Sequence, residues 1–432
     1  MTHRTLRAPA VIAGAMLLLT ACGSGFESDS AAPGASAPAS EAPGASTDAS
    51  AAAEPGADLT ILIGSSGDAE TDIVNQLVAD WSAESGVDAE VVVASDLNQQ
   101  LSQGFSSNNP PDLFYLSTDQ MAAYAATGSL EPYAENLSNA DDFFPALREA
   151  FTYDGQFMCA PKDFSTLALI INSDMWSEAG LTDDDIPTTW DELSAVAEQL
   201  TTDEHKGLAF GPEVQRVGVF MAEAGGAFID DSGTTAVVDS PENADALQYV
   251  KDQMAAGSFA FSNDPSIDAG WGGEAFGLGK AAMVIEGNWI AGAMTNDFPD
   301  VNYTVAELPE GPAGPGTIQY TNCWGMAALS DNIPGATSLV EYLTSTESQL
   351  AAAEAFGVMP SVASAAEEWK QAYPEFAAFI DGADYAINLP SQPGTSDVIG
   401  DFNAQLATLS STEPEVILAS VQASLQDALD SQ

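Results

Sequence analysis

Positive charge is scarce in this chain. Nine Lys and Arg stand against 64 Asp and Glu in 432 residues, a formal charge of −55. A nucleic-acid partner is thereby excluded, since phosphate recognition needs a basic face that so few cations cannot build. Docking onto an anionic lipid surface by charge alone is disfavoured for the same reason. Histidine is rarer still. His3 lies in the N-terminal leader and His205 in the charged stretch Thr202-Asp-Glu-His-Lys-Gly207, so imidazole catalysis has no constellation to work in. The three cysteines, Cys22, Cys159 and Cys323, form no His/Cys cluster of zinc-site spacing. Asp183-Asp184-Asp185 lacks the EF-hand spacing and reads as a charged turn. No metal site and no cofactor is expected. Apolar residues are not scarce: they make up 45% of the chain, with 19 Phe, 10 Tyr and 7 Trp, enough for a large core and too many for wholesale disorder. The length suits two or three domains, or one body with two lobes.

The N-terminus reads as an address. Arg4 and Arg7 precede an apolar run from Ala8 to Ala21, shorter than the roughly 20 residues that span a bilayer. It ends Leu19-Thr-Ala-Cys22-Gly23, which resembles the lipobox of bacterial lipoproteins, so residues 1–21 are expected to be a signal peptide and Cys22 the acylated N-terminus. Residues 22–57 follow as an Ala/Ser/Pro/Gly linker without apolar periodicity, a disordered tether reaching roughly 30 Å.

From Leu59 the pattern alternates. Strands are predicted at Leu59–Ile63, Ala89–Val93 and Asp112–Leu116, with helices at Glu70–Ser85, Leu97–Phe105 and Asp119–Ala126, the signature of a parallel sheet in an α/β lobe. A second set begins near Phe164, with a strand at Leu167–Ile171 and a helix opening at Pro187–Leu193 under a Thr188 or Thr189 cap. Further helices are predicted at Val214–Ala224, Pro241–Ala255, Gly272–Leu278, Pro334–Thr344, Glu347–Phe356 and Pro414–Leu429, the last with a stripe through Val416, Ile417, Val421, Leu425 and Leu429. Ligands of such sheets bind beyond the carboxyl ends of the strands. Those ends here are Gly64–Asp68 and Ser117–Asp119, where ordinary turn and cap roles compete with ligand contact.

Four ordered blocks carry a resemblance. They are Pro111–Asp119 with Gly128–Pro132; Ala160–Leu169 with Asn172 and Thr189–Leu193; Trp271–Met283 with Glu286–Trp289; and Trp324–Ala328. In this order, behind a lipobox, they resemble the family 1 extracellular solute-binding proteins of ABC importers, to which maltodextrin-binding proteins belong. The resemblance runs from Leu59 to the C-terminus. It implies an α/β periplasmic-binding-protein-like (type II) fold, two lobes joined by crossing hinge strands, with ligand in the cleft between them. Lobe 1 would take residues 58–160 and 325–361, and lobe 2 residues 161–321 and 362–432, with crossings near Met158–Ser165 and Tyr320–Gly325. Each crossing carries a cysteine, so a Cys159–Cys323 disulfide is expected outside the reducing cytoplasm, against the alternative of two buried thiols.

A pyranose presents patches of C–H flanked by hydroxyls, so a sugar site pairs an aromatic platform with hydrogen-bonding side chains. Trp289 matches the family's stacking position; Trp271 and Trp324 are further candidates, with core packing the competing reading for each. Asp119 matches an acid that accepts from sugar hydroxyls. Ser66, Asp68 and Ser117 lie at strand ends, Lys162, Asp163 and Ser165 on the first crossing, Glu213, Gln215 and Arg216 at a helix start, and Asn288 beside Trp289. The lipid-anchored protein is expected to be a monomer on the extracytoplasmic face of the membrane, binding a sugar for permease subunits and catalysing nothing. Leu116 stands where the maltodextrin pattern has a platform tryptophan, favouring a mono- to trisaccharide. The rivals are a binding protein for a polyamine or similar solute, a secreted glycoside hydrolase working through two of the carboxylates, and a cell-surface interaction lipoprotein.

Overall fold

In the parts of the chain that the structure, a computed structural model, describes (residues 57–230 and 232–431), ten strands form one sheet. The expected signal peptide, Cys22 and nearly all of the linker lie outside the described residues. Strands β1 (Leu59–Ile63), β2 (Ala89–Val93) and β3 (Leu113–Ser117) are parallel, with helices Asp68–Ser85 and Leu97–Ser106 as their crossovers. A short hairpin, β4 (Thr152–Tyr153) and β5 (Gln156–Phe157), leads into the 13-residue β6 (Ala160–Asn172). Then come β7 (Lys206–Phe210), β8 (Phe259–Phe261), β9 (Ala281–Gly287), β10 (Tyr303–Ala306), β11 (Thr317–Met326) and β12 (Ala386–Ile387). The main sheet runs β2-β1-β3-β11-β6-β9-β7-β8, with β10 paired to β6 and β12 to β11.

Two strands belong to both halves. β11 pairs with β3 through Asn322–Met326, while β6 pairs with β11 through Ala160–Thr166 and with β9 through Leu167–Ile171, all antiparallel. The register of β6 against β11 shifts between Asn322 and Cys323: Asn322 faces Asp163 and Cys323 faces Pro161. Lys162 is thus the extra residue of a β-bulge, the device that re-aims a side chain out of a regular pleat.

Each half has its own apolar core. One gathers Ile61, Trp81, Phe114 and Leu116; another gathers Phe210, Phe220, Phe259 and the C-terminal helix Pro414–Asp430. A third holds Phe144, Phe276, Trp369 and Phe379. β6 serves the last two at once. Leu167, Leu169 and Ile171 enter one core while Ala168 and Ile170 enter the other, as the two-residue period of a strand requires, so the strand reads as an unbroken apolar run. On the C-terminal helix the predicted stripe holds except at Val416, which is 62% exposed; Leu418 takes its place in the core. Thr189 is the cap of the helix at Trp190–Leu200, its side chain accepting from the Glu192 N–H.

Cys159 and Cys323 form a disulfide between the two shared strands, with Cα atoms 5.7 Å apart and a sequence separation of 164. Closing so long a loop is worth roughly 5 kcal/mol in the chain-entropy model, and 2–5 kcal/mol is typically lost when such a bridge is removed. Cys159→Ser/Cys323→Ser is therefore expected to lower denaturant stability by about 2–5 kcal/mol, read from urea unfolding. The wild type is expected to expose no alkylatable thiol from this pair until reduced.

Candidate functional site

Beyond the carboxyl ends of β1 and β3, and over the β6–β11 crossing, lies a cavity of about 650 Å³. One wall brings Gly64, Ser66, Glu70 and Tyr115, the floor Lys162–Ser165 and Tyr320–Asn322, and the facing wall Asn288 and Trp289. A second compartment of about 430 Å³ shares Tyr320–Asn322 and is lined by Ser117, Asp119, Gln215, Gln319 and Asn388.

The floor is built around Lys162. Its ammonium contacts the Glu70 carboxylate at 3.1 Å, pairs with Asp163, and lies 4.6 Å from the centre of the Tyr115 ring. Glu70 in turn accepts from the Ser66 N–H and hydroxyl, both at 2.7 Å. Burial alone would push the Glu70 carboxyl up, but Lys162 and Ser66 hold it below the ordinary carboxylate range. For Asp163 burial wins over Lys162, and its carboxyl is raised. Burial works against the Lys162 ammonium too, yet its two carboxylates keep it charged.

Trp289 is 37% exposed at the cavity. Its indole N–H donates to Glu286 at 3.1 Å, and Tyr320 meets the ring edge-on at 5.1 Å. Asn288 reaches across the cleft, donating from its side chain to the Gly357 carbonyl at 2.9 Å, while its own N–H is taken by Ser165 Oγ at 3.1 Å.

Of the sequence candidates, Ser66, Lys162, Asp163, Ser165, Asn288 and Trp289 line the first compartment, and Ser117, Asp119 and Gln215 the second. Five fall elsewhere. Trp324 is a core residue, 4% exposed and edge-on to Tyr115 at 4.9 Å, because its place on β11 turns it into the first core. Trp271 folds over Gly273 and packs against the third core. Asp68 is exposed on the first turn of its helix, outside both compartments. Glu213 caps the helix Val214–Glu223 with its backbone, and Arg216 lies behind Trp289, paired with Glu286 at 2.7 Å and with Glu213 at 3.7 Å. Leu116, the supposed gap in a platform, is wholly buried, so its strand position faces the core and says nothing about ligand length. The sequence reading missed Glu70, Tyr115, Tyr320, Asn322 and Phe356–Val358, all on the first compartment. Glu70 looks like a helix-start acid and Gly357 like a helix C-cap, and both are that as well. Tyr320 was the legible one, since it opens the predicted second crossing.

Two lobes sharing crossed strands, with a cleft floored by the crossing, define a ligand-binding protein of the type II periplasmic-binding-protein build. Among the described residues no cluster of three or more His, Cys, Asp or Glu is arranged to hold a metal ion, and no helix is long and apolar enough to cross a membrane. A profile of bacterial extracellular solute-binding proteins matches residues 76–378, and the chain belongs to that family. It is 26% identical to a maltotriose-binding protein of Pyrococcus abyssi over 51% of this chain and 47% of that one, so it spans about half the length of that relative. With the diacetylchitobiose binding protein of Streptomyces coelicolor it shares 25% identity over 83% of this chain and 82% of the other. The solved structure of a cyclic alpha-maltosyl-1,6-maltose binding protein from Arthrobacter globiformis superposes with a TM-score of 0.78 at 21% identity, covering 88% of this chain and all of that one.

The Lys162 cluster makes a sharp stability prediction. Lys162→Met leaves Glu70 and Asp163 partly buried without a cation, a change expected to cost about 3–5 kcal/mol at pH 7. Mutual repulsion would raise both carboxyl pKa values in the folded variant above their unfolded values, so the variant should regain stability as pH falls toward the carboxylate range. Urea midpoints of both proteins at pH 7 and pH 5 check this: the gap should narrow at pH 5.

Proposed function

We propose that this protein is the extracytoplasmic substrate-binding lipoprotein of an ABC importer, anchored through acylated Cys22, and that it delivers an uncharged carbohydrate to a membrane permease. It acts as a monomer, without catalysis. Lobe 1 takes residues 58–160 and 325–361, lobe 2 residues 161–321 and 362–432, and closure about the two crossings encloses the sugar. The observation that carries the reading is Trp289, a half-exposed indole facing a polar cavity whose other wall and floor are rich in hydroxyl and carboxylate acceptors. That combination suits a pyranose, whose C–H face stacks while its hydroxyls donate. Two relatives named for oligosaccharide ligands support it.

Charge narrows the ligand class. Each of the two cations nearest the cleft already has two carboxylate partners, Lys162 with Glu70 and Asp163, Arg216 with Glu286 and Glu213. A phosphorylated or carboxylated sugar would meet no unpaired cation on the described walls of either compartment. One observation favours a second reading, a polyamine: Glu70, Asp163 and Asp297 line the first compartment against Lys162 alone.

Thermal-shift screening of the folded body against neutral mono- and oligosaccharides, sugar phosphates, amino acids and polyamines separates the readings. A neutral sugar at a hundred times its Kd should add about 2.7 kcal/mol of stability and raise the melting midpoint. A shift by a polyamine and by no sugar would refute the carbohydrate assignment. Trp289→Ala should weaken the identified sugar at least tenfold and abolish most of its fluorescence quench.

A further inference from the structure

Trp289 is held in place by groups that lie behind the cavity wall. Its indole N–H and the Arg216 guanidinium both donate to the same oxygen of Glu286, at 3.1 and 2.7 Å. Glu286 is 1% exposed, and neither it nor Arg216 lines either compartment. The guanidinium carbon stands 5.3 Å from the centre of the Trp289 ring and 5.7 Å from that of Tyr320, within the range of a cation–π contact. Tyr320 closes the set: its ring is edge-on to the indole, and its hydroxyl donates to the Gln215 carbonyl at 2.6 Å while accepting from Arg216 at 3.3 Å. Gly287 completes the seat. A Cβ on it would lie 2.2 Å from the indole ring, so the tryptophan folds back over a position only glycine leaves open.

We propose that Arg216, through its pair with Glu286, is a positioning residue that fixes the Trp289 indole in its sugar-stacking orientation and makes no ligand contact itself. The proposal rests on the reading of Trp289 as the platform. A buried ion pair is a poor way to gain stability, since desolvating both charges offsets most of their attraction. It does fix geometry: the planar guanidinium engages a carboxylate and an aromatic face together, which a lysine would not do. A ring already held in one rotamer loses less conformational freedom when a ligand stacks on it.

The test is a double-mutant cycle on the full folded body, with the neutral sugar found by thermal shift as probe and titration calorimetry as readout. Arg216→Met should weaken binding about tenfold in the wild-type background and less than twofold in the Trp289→Ala background. Equal losses in both would overturn the proposal, because Arg216 would then act independently of the ring. A second readout needs no ligand. In the ¹⁵N spectrum of the ligand-free protein, the indole resonance that vanishes in Trp289→Ala should shift or broaden in Arg216→Met; an unmoved resonance would overturn positioning. Should Arg216→Met fail to fold, Arg216→Gln/Glu286→Gln, which buries no lone charge, takes its place with the same expected results. A Trp289→Ala variant that binds the sugar as wild type refutes the platform itself, whereas loss in Trp289→Ala beside full affinity in Arg216→Met refutes only the role of Arg216.

Discussion

The antiparallel pairing of β6 with β11 is the constraint on which the rest depends. Both strands leave one half of the molecule and finish in the other, so every element on either side is placed relative to this one ladder. The Cys159–Cys323 bridge ties the strands where they enter the first half. Nearby, the Tyr133 hydroxyl donates to the Trp324 carbonyl at 2.6 Å and accepts from the Ala160 N–H at 3.2 Å, a buried bond to each strand from one side chain. At the far end Thr317 Oγ1 both accepts from and donates to the Leu167 backbone. The middle of the crossing is held by one such bond, Thr321 Oγ1 donating to the Asp163 carbonyl at 2.7 Å. There lie the bulge at Lys162 and the polar residues Asp163 and Tyr320–Asn322, and this is also where the two compartments meet. The irregularity of the ladder thus falls directly beneath the cleft, between the tied ends of the two strands.

The bulge explains why a lysine tolerates burial there. An extra residue on β6 turns its side chain off the regular pleat and under the Tyr115 ring, where two carboxylates meet it. Arg216 repeats the arrangement on the other wall, a cation beside an aromatic ring with two carboxylate partners. In a chain with nine basic residues, two lie against aromatic rings near the cleft. Both charges are thereby matched by protein carboxylates before any ligand enters.

The first three strands were legible as short apolar runs between turns and many helices as 3.6-residue stripes, but the helices at Ala363–Ala372 and Thr395–Leu406 were not read. The helix at Asp68–Ser85 and the one at Pro414–Asp430 fall within two residues of expectation. Strands β7 to β10 were not legible. β7 and β9 are buried at nearly every position, so they show no alternation, and each is short enough to pass for a helix flank. The site divided along a similar line. Of the residues whose strand-end placement follows from topology, Ser66, Ser117 and Asp119 reached the compartments, while Asp68, one turn into its helix, did not. Trp271 and Trp324 did not, since sequence identifies a tryptophan but not the face of its strand or turn, and a one-residue difference in register exchanges cleft for core. Arg216 was read as a ligand-facing residue at a helix start, and the structure turns it to Glu286 instead.

The acidity first seemed to describe only the outside of the molecule, but its consequence inside the cleft is more specific. A cavity in a strongly negative field repels anions unless unpaired cations are directed into it. Here the two nearby cations are occupied, and the first compartment carries three carboxylates, Glu70, Asp163 and Asp297, against Lys162 alone. Ligand groups that donate suit such carboxylates. Sugar hydroxyls do so without carrying charge, and an indole face suits the C–H surface of a pyranose, whereas a polyamine would meet the same ring through its ammonium groups. The Arg216 guanidinium already lies 5.3 Å from the centre of the Trp289 ring, so a second cation stacked on that ring would meet a like charge, which weighs toward a neutral ligand with a flat apolar face.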